Sequence, residues 1–212
     1  MAERDAGAKR TLREAQKSAT LEKLIDASRE VFKEHGYSAT IDQITRAAGA
    51  SRATFYLHFG SKGEVLARIY HDDYVVRLFS WLDEFPECSD LIPLKQWVRS
   101  YMDIHADNKE IITACLEAGI RETGFSKTGG SVIETFLAAL AVKVAKTRRR
   151  NEHETSDEEA YVRGAVAYVQ MQQMAHQMLV PGVKHSEDIH ITVQAETWQY
   201  TFGHRLGLGS AA

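Results

Sequence analysis

The sequence predicts an all-α protein: a small N-terminal helix-turn-helix domain followed by a larger helical domain, about nine helices in total. Three observations carry this. Apolar residues recur at helical spacing along most of the 212 residues. Alternating β-branched runs and Asn-Gly hairpin turns are missing. Only three prolines interrupt the chain. Apolar content of 44% and charged content of 26% exclude global disorder. No apolar run approaches the ~18 residues that cross a bilayer. The opening "MAERDAGAKRTLREAQK" is charged throughout and lacks the apolar centre of a signal peptide. Cys88 and Cys115 are too few for a disulfide framework. These features together lead us to expect a cytoplasmic protein with no membrane partner.

Leu21, Leu24, Ile25, Ser28, Val31 and Phe32 form the apolar stripe of the first helix, and Gly36 stops it. Thr11 and Glu14 form a capping box ahead of that stripe, so the helix begins early and presents Arg10, Arg13 and Lys17 as a basic arm over residues 1–19. That arm reads either as a groove or phosphate contact or as a solvated terminus. Thr40 occupies the N-cap of a short second helix with Ile41, Ile44, Ala47 and Ala48. Gly49 breaks it and Ser51 caps a third. Ser61 and Glu64 form a capping box that opens a longer helix through about residue 83. Further helices are expected over about 93–107, 109–123, 130–149, 157–180 and 187–205.

Charge is distributed unevenly. Residues 1–62 hold eleven Lys and Arg against eight Asp and Glu, a balance of +3, and the remainder holds fifteen against twenty-one, a balance of −6. A basic N-terminal quarter on an acidic protein is what contact of one end with a polyanion requires. Two short helices joined through Ala47-Ala48-Gly49-Ala50 make a helix-turn-helix, the small residues allowing close approach and the glycine relieving the turn. Phe55 and Phe59, four apart, point into a core with Ile44 and Phe32, which turns Arg52, Ala53 and Tyr56 to another face. Arginine can pair bidentately with guanine, and an alanine methyl can meet a thymine methyl. Tyr56, His58 and Lys62 supply donors at the height of the flanking phosphates, and Lys62 stands at a helix N-terminus, which favours anions.

The run Thr40-Ile41-x-x-Ile44-x-x-Ala47-Ala48-Gly49-Ala50-Ser51-Arg52-Ala53-Thr54-Phe55-Tyr56-x-His58-Phe59-x-Ser61-Lys62 closely resembles the DNA-binding signature of the tetracycline-repressor (TetR) family of bacterial regulators. The resemblance extends over about residues 20–70. It implies a homodimer on a palindromic double-stranded DNA operator, with a small-molecule effector bound in the C-terminal domain. It also implies a DNA-binding domain over 20–66 and a ligand-binding and dimerisation domain over 67–212. Carried over by position, Thr40, Ser51, Thr54, Tyr56, His58 and Lys62 look like backbone contacts, and Arg52 and Ala53 like base readers. Ala53 stands where glycine or proline is frequent, Thr45 where alanine is common and Gly63 where an acidic residue often follows the lysine.

In the C-terminal part, the 157–180 stretch has no fully polar face: Tyr161, Val162, Val166, Val169, Met174 and Leu179 join Ala165, Tyr168, Met171 and Met178 around it. Residues 187–205 behave likewise. Both helices are expected to pair with their copies in a two-fold four-helix bundle, through Val166, Val169, Gln173, Met174, Val193, Thr197 and Tyr200, unless the subunit's own helices seal them. Trp97, Tyr101 and His105 share one helix face, Phe136 lies on another, and Tyr168 with Gln172 on a third. Such stripes suit either plain core or the lining for an apolar or aromatic effector, with Glu117 and Arg121 as polar anchors or solvated residues. Glu187-x-x-His190 is half of a di-iron pattern without its second half, and neither His-Glu-x-x-His nor Cys-x-x-Cys occurs. No metal or cofactor is expected, and no nucleophile–base pair is legible. The rival readings are an all-α enzyme acting in the aromatic cavity and an architectural DNA-binding protein without an effector.

Overall fold

A computed structural model describes residues 2–87, 90–178 and 186–204, with the backbone alone for 2–13, 123–124 and 126–131. The side chains of Arg10 and Arg13 lie outside this set, as do Cys88, Leu179 and the tail beyond residue 204. The described residues are helical with no strand: α1 (Ala2–His35), α2 (Ile41–Ala48), α3 (Arg52–Tyr56), α4 (Lys62–Tyr70), α5 (Val76–Asp83), α6 (Leu91–Asp107), α7 (Lys109–Arg121), α8 (Thr123–Arg150), α9 (Asp157–Met178) and α10 (Glu187–Thr201). A 3₁₀ turn, Gly36–Ser38, follows α1, and a π-turn, His71–Val75, joins α4 to α5. The expected single helix from 61 to 83 is therefore present but wound wider at its middle.

α1 runs from Ala2, so Thr11 lies inside it and is not its N-cap; two further boundaries differ for local reasons. α6 starts at Leu91, capped by the Asp90 carboxylate, which accepts from the Ile92 N–H at 3.0 Å. Pro93 sits in the first turn, where a missing N–H has no helical partner to lose. α8 starts at Thr123 rather than near residue 130, so Gly129 and Gly130 lie within it. Glycine weakens a helix without forbidding one.

The chain forms two compact units. The first comprises residues 1–72 with 110–129, and the second residues 73–109 with 130–212. The chain thus crosses between them inside the π-turn. Packing brings α7 and the start of α8 beside the N-terminal helices, so the units do not divide at one point in sequence as a single cut at residue 66 would have it.

The first unit is built around Leu24, Phe32, Ile44, Phe55, Leu66 and Ile69, each fully buried, with Ile111, Ala114 and Ala118 of α7. Phe55 and Phe59 lie 5.7 Å apart, ring to ring, inside this core. The second unit is aromatic at its centre. Trp81 and Trp97 stack at 3.8 Å, and each indole N–H donates to the other residue's carbonyl at 2.8 Å. This satisfies both buried indoles without water. Phe85 stacks on Phe202 at 3.8 Å, and Trp198 packs edge-on to Trp97.

Candidate nucleic-acid interface

The helix-turn-helix is fixed by its caps. The Thr40 hydroxyl accepts from the Gln43 N–H at 3.2 Å, and the Gln43 side chain accepts from the Thr40 N–H at 2.8 Å, a reciprocal capping box. Gly49 ends α2 in the left-handed region at φ 62°, its N–H donating to the Arg46 carbonyl. A side chain there would meet no neighbour, so the constraint is backbone conformation alone. Ser51 caps α3 by accepting from the Thr54 N–H at 3.0 Å, and its hydroxyl also bonds that of Thr54 at 2.8 Å.

Burying Phe55 fixes the rotation of α3. Arg52, Ala53 and Tyr56 consequently face solvent together with Ser51, while Thr54 and His58 are half-buried. The Arg52 guanidinium spans back to α2, where one nitrogen donates to both oxygens of Asp42 at 2.9 and 3.2 Å. Asp42 escaped the sequence reading because its partner lies ten residues on and across a turn. Leu57, 78% exposed at the end of α3, also escaped it, since nothing in the spacing marks an apolar side chain left in water.

Lys62 is more committed than expected. Its ammonium donates to the carbonyls of Tyr37 at 2.7 Å and Ala39 at 3.1 Å and stands 4.0 Å over the Tyr37 ring. Burial lowers its pKa, and the carboxylate of Glu122 opposes that effect. An ammonium carries three donors, so one N–H is unused among the described residues and can meet an anion.

The residues considered for effector contact divide between the units. Trp97, Tyr101, His105, Phe136 and Tyr168 are all buried in the second, with Gln172 donating to the Tyr168 hydroxyl at 3.1 Å. Tyr168 lies 4.8 Å from Phe136 and 6.2 Å from Tyr101, and the Tyr101 hydroxyl is 3.2 Å from that of Tyr74. His105 stacks beside Tyr101, and its Nδ1 has no partner among the described residues. Burial pushes its pKa down to about 4, so the ring is neutral near pH 7. Glu117 and Arg121 belong instead to the first unit, where Glu117 binds Tyr37 and Arg121 is exposed. A cleft of about 360 Å³ between α5 and α6 is floored by Trp81 and Ile104 and edged by Arg77, Glu84, Ser100 and Asp103, none of them singled out in the sequence.

Residues 24–69 match the family described as bacterial regulatory proteins, tetR family. The chain carries a TetR-family DNA-binding domain. Over 63 residues it is 46% identical to the HTH-type transcriptional regulator SrpR of Pseudomonas putida, a stretch covering 29% of this chain and 29% of SrpR. Beyond this TetR domain the likeness is one of fold. A TetR-family regulator from Syntrophomonas wolfei superposes with a TM-score of 0.68 at 15% identity, over 92% of this chain and 99% of that one. The regulator FadR of Bacillus subtilis, solved with stearoyl-CoA, gives 0.63 at 15% identity, over 87% of this chain and 99% of FadR. The all-α architecture, with its N-terminal TetR domain and larger helical remainder, is that of these regulators.

Proposed function

We propose that this protein is a ligand-responsive transcriptional regulator, a repressor that binds a palindromic operator as a homodimer and is released by a small apolar or aromatic effector. The observation that carries the DNA-binding part is the rotation of α3. Phe55 is sealed in the core, so the one face left to a duplex bears Ser51, Arg52, Ala53 and Tyr56. Arg52 and Ala53 read base edges. Thr40, Ser51, Thr54, Tyr56 and His58 hold phosphates, joined by the remaining N–H of Lys62.

Pairing of subunits is supported by two apolar stripes left in water. On α9, Val162, Val166 and Val169 are each more than half exposed, as are Ile189, Val193 and Tyr200 on α10. Gln173, Met174 and Thr197 continue these rows. The α9 and α10 stripes flank the buried bonds from Gln194 to the Ala167 carbonyl and from Trp198 to the Met171 sulfur. Two copies of this pair bury the stripes in a four-helix bundle. Successive major grooves then receive the two α3 helices about 34–36 Å apart.

The effector reading rests on the tyrosine and histidine cluster of the second unit. Its residues, with a neutral His105, offer apolar area and hydroxyl tips but no fixed charge. FadR was solved with stearoyl-CoA; the aromatic cluster here favours a smaller and flatter ligand. Titrating the purified protein against its own palindromic upstream fragment tests the proposal: sequence-selective, salt-dependent binding is expected. Equal affinity for operator and scrambled duplex would refute it.

A further inference from the structure

The first unit contains a set of polar contacts that the DNA-facing residues do not use. The Gly36–Ser38 turn between α1 and α2 is gripped by two carboxylates, one on α7 and one just after it. The Tyr37 N–H donates to Glu117 Oε2 at 3.1 Å, and the Tyr37 phenol donates to the Glu122 carboxylate. Glu122 follows α7 directly, its own N–H donating to the Ala118 carbonyl at 2.8 Å, so both carboxylates are carried by continuous helical backbone. Tyr37 is buried, with Phe125 beside its ring. Burial and the bond to Glu122 raise its pKa well above the ordinary tyrosine value, so it remains a donor.

The gripped turn is also what holds Lys62, whose ammonium bonds the carbonyls of Tyr37 and Ala39. Ala39 precedes Thr40, the N-cap of α2. Gly63 leaves room for the Glu122 carboxylate: a Cβ there would lie 3.0 Å from Glu122 Oε2 and 3.3 Å from the Tyr37 hydroxyl, whereas Gly36 is favoured by its φ of 56°. This accounts for glycine at position 63, where the related signature often has an acidic residue.

We propose that Tyr37, Glu117 and Glu122 are positioning residues for DNA recognition: by clamping the turn that seats Lys62 and the α2 N-cap, residues 110–129 set the operator affinity of the helix-turn-helix. The inference rests on the DNA-binding reading above. Two features favour a setting role over a simple tie. The clamp is polar and acts on the turn itself, through a tyrosine whose ring already packs in one core with Phe32, Ile44 and Phe55. The clamping segment is also continuous at both ends, residues 109 and 130, with the unit that holds the effector cluster. A displacement of 110–129 reaches the turn through charge-assisted hydrogen bonds, which either form or break within a few tenths of an ångström.

The test compares operator and scrambled-duplex affinity for the full chain carrying Tyr37→Phe, Glu122→Ala, both together, Glu122→Gln or Gly63→Ala, with denaturation midpoints for each. Tyr37→Phe and Glu122→Ala are each expected to lower operator affinity about tenfold, with a parallel loss on the scrambled duplex because Lys62 and Thr40 meet phosphates. The double variant is expected to fall no further than the worse single one, because both remove the same bond. Glu122→Gln keeps an acceptor and should retain most of the affinity. Gly63→Ala removes no polar group and adds helix propensity, so operator affinity should fall with no drop in midpoint. Undiminished operator affinity in Tyr37→Phe and Glu122→Ala would overturn the proposal. So would losses that multiply in the double variant. A wild-type protein that prefers no operator would instead sink the DNA-binding reading itself.

Discussion

Replacing Arg52 with alanine separates base reading from phosphate anchoring. In the free protein one guanidinium nitrogen is held by Asp42 and the group also bonds Tyr56, so docking exchanges these contacts for the two-pronged face that matches guanine O6 and N7. The Arg52–Asp42 pair is more than half exposed on both sides, so water screens it and its release resists docking very little. The loss on substitution is then the base contact itself, roughly 5- to 150-fold in discrimination at one base pair of each half-site. Competition binding on fragments with each operator base pair exchanged in turn reads this out. Arg52→Ala should lose preference at one symmetric pair of positions and keep it elsewhere. Its salt dependence should scarcely change, whereas Lys62→Gln should flatten the slope by about one unit per protomer. If Arg52→Ala kept full discrimination at every position, the orientation argued from Phe55 would be wrong.

Three further outcomes follow from the packing. Val166→Glu combined with Val193→Glu should give monomers in sedimentation velocity and abolish operator binding, because a buried bundle cannot hold four unpaired carboxylates. His105, with a pKa lowered from 6.5 to about 4 by burial, binds its proton more tightly in the unfolded chain. Stability of the second unit should therefore be full above about pH 6.5 and fall as pH drops toward 4, by about 3 kcal/mol, and His105→Phe should flatten that slope in urea titrations. Phe55→Ala should destabilise the first unit by about 3–5 kcal/mol, read as a lower midpoint for its unfolding.

The helix-turn-helix was legible because each of its positions has a local duty. Thr40 and Ser51 cap the helix that follows them, Gly49 supplies a left-handed turn, and Phe55 and Phe59 are spaced to share one core. None of these needs knowledge of a distant residue. The clamp on Tyr37 was invisible for the opposite reason: its carboxylates lie 80 and 85 residues along the chain, on a helix whose own periodicity shows only which face is apolar. Glu117 and Arg121 stayed open between effector anchors and solvated residues because nothing in the sequence says that α7 packs with the N-terminal helices. Trp81 was likewise passed over, although Tyr74, Leu78 and Trp81 continue one helical stripe; its reciprocal bond with Trp97 depends on how α5 meets α6. The π-turn at His71–Val75 has no composition signal, since no proline or glycine occurs there.

The central claim is that paired subunits present two α3 helices at the repeat of the duplex. Operator affinity measured while the spacing between half-sites is lengthened base pair by base pair tests it directly. The account predicts a sharp maximum when the half-site centres lie about one helical turn apart, with two protomers bound per duplex. Affinity indifferent to that spacing, or a single protomer bound at the maximum, would contradict it.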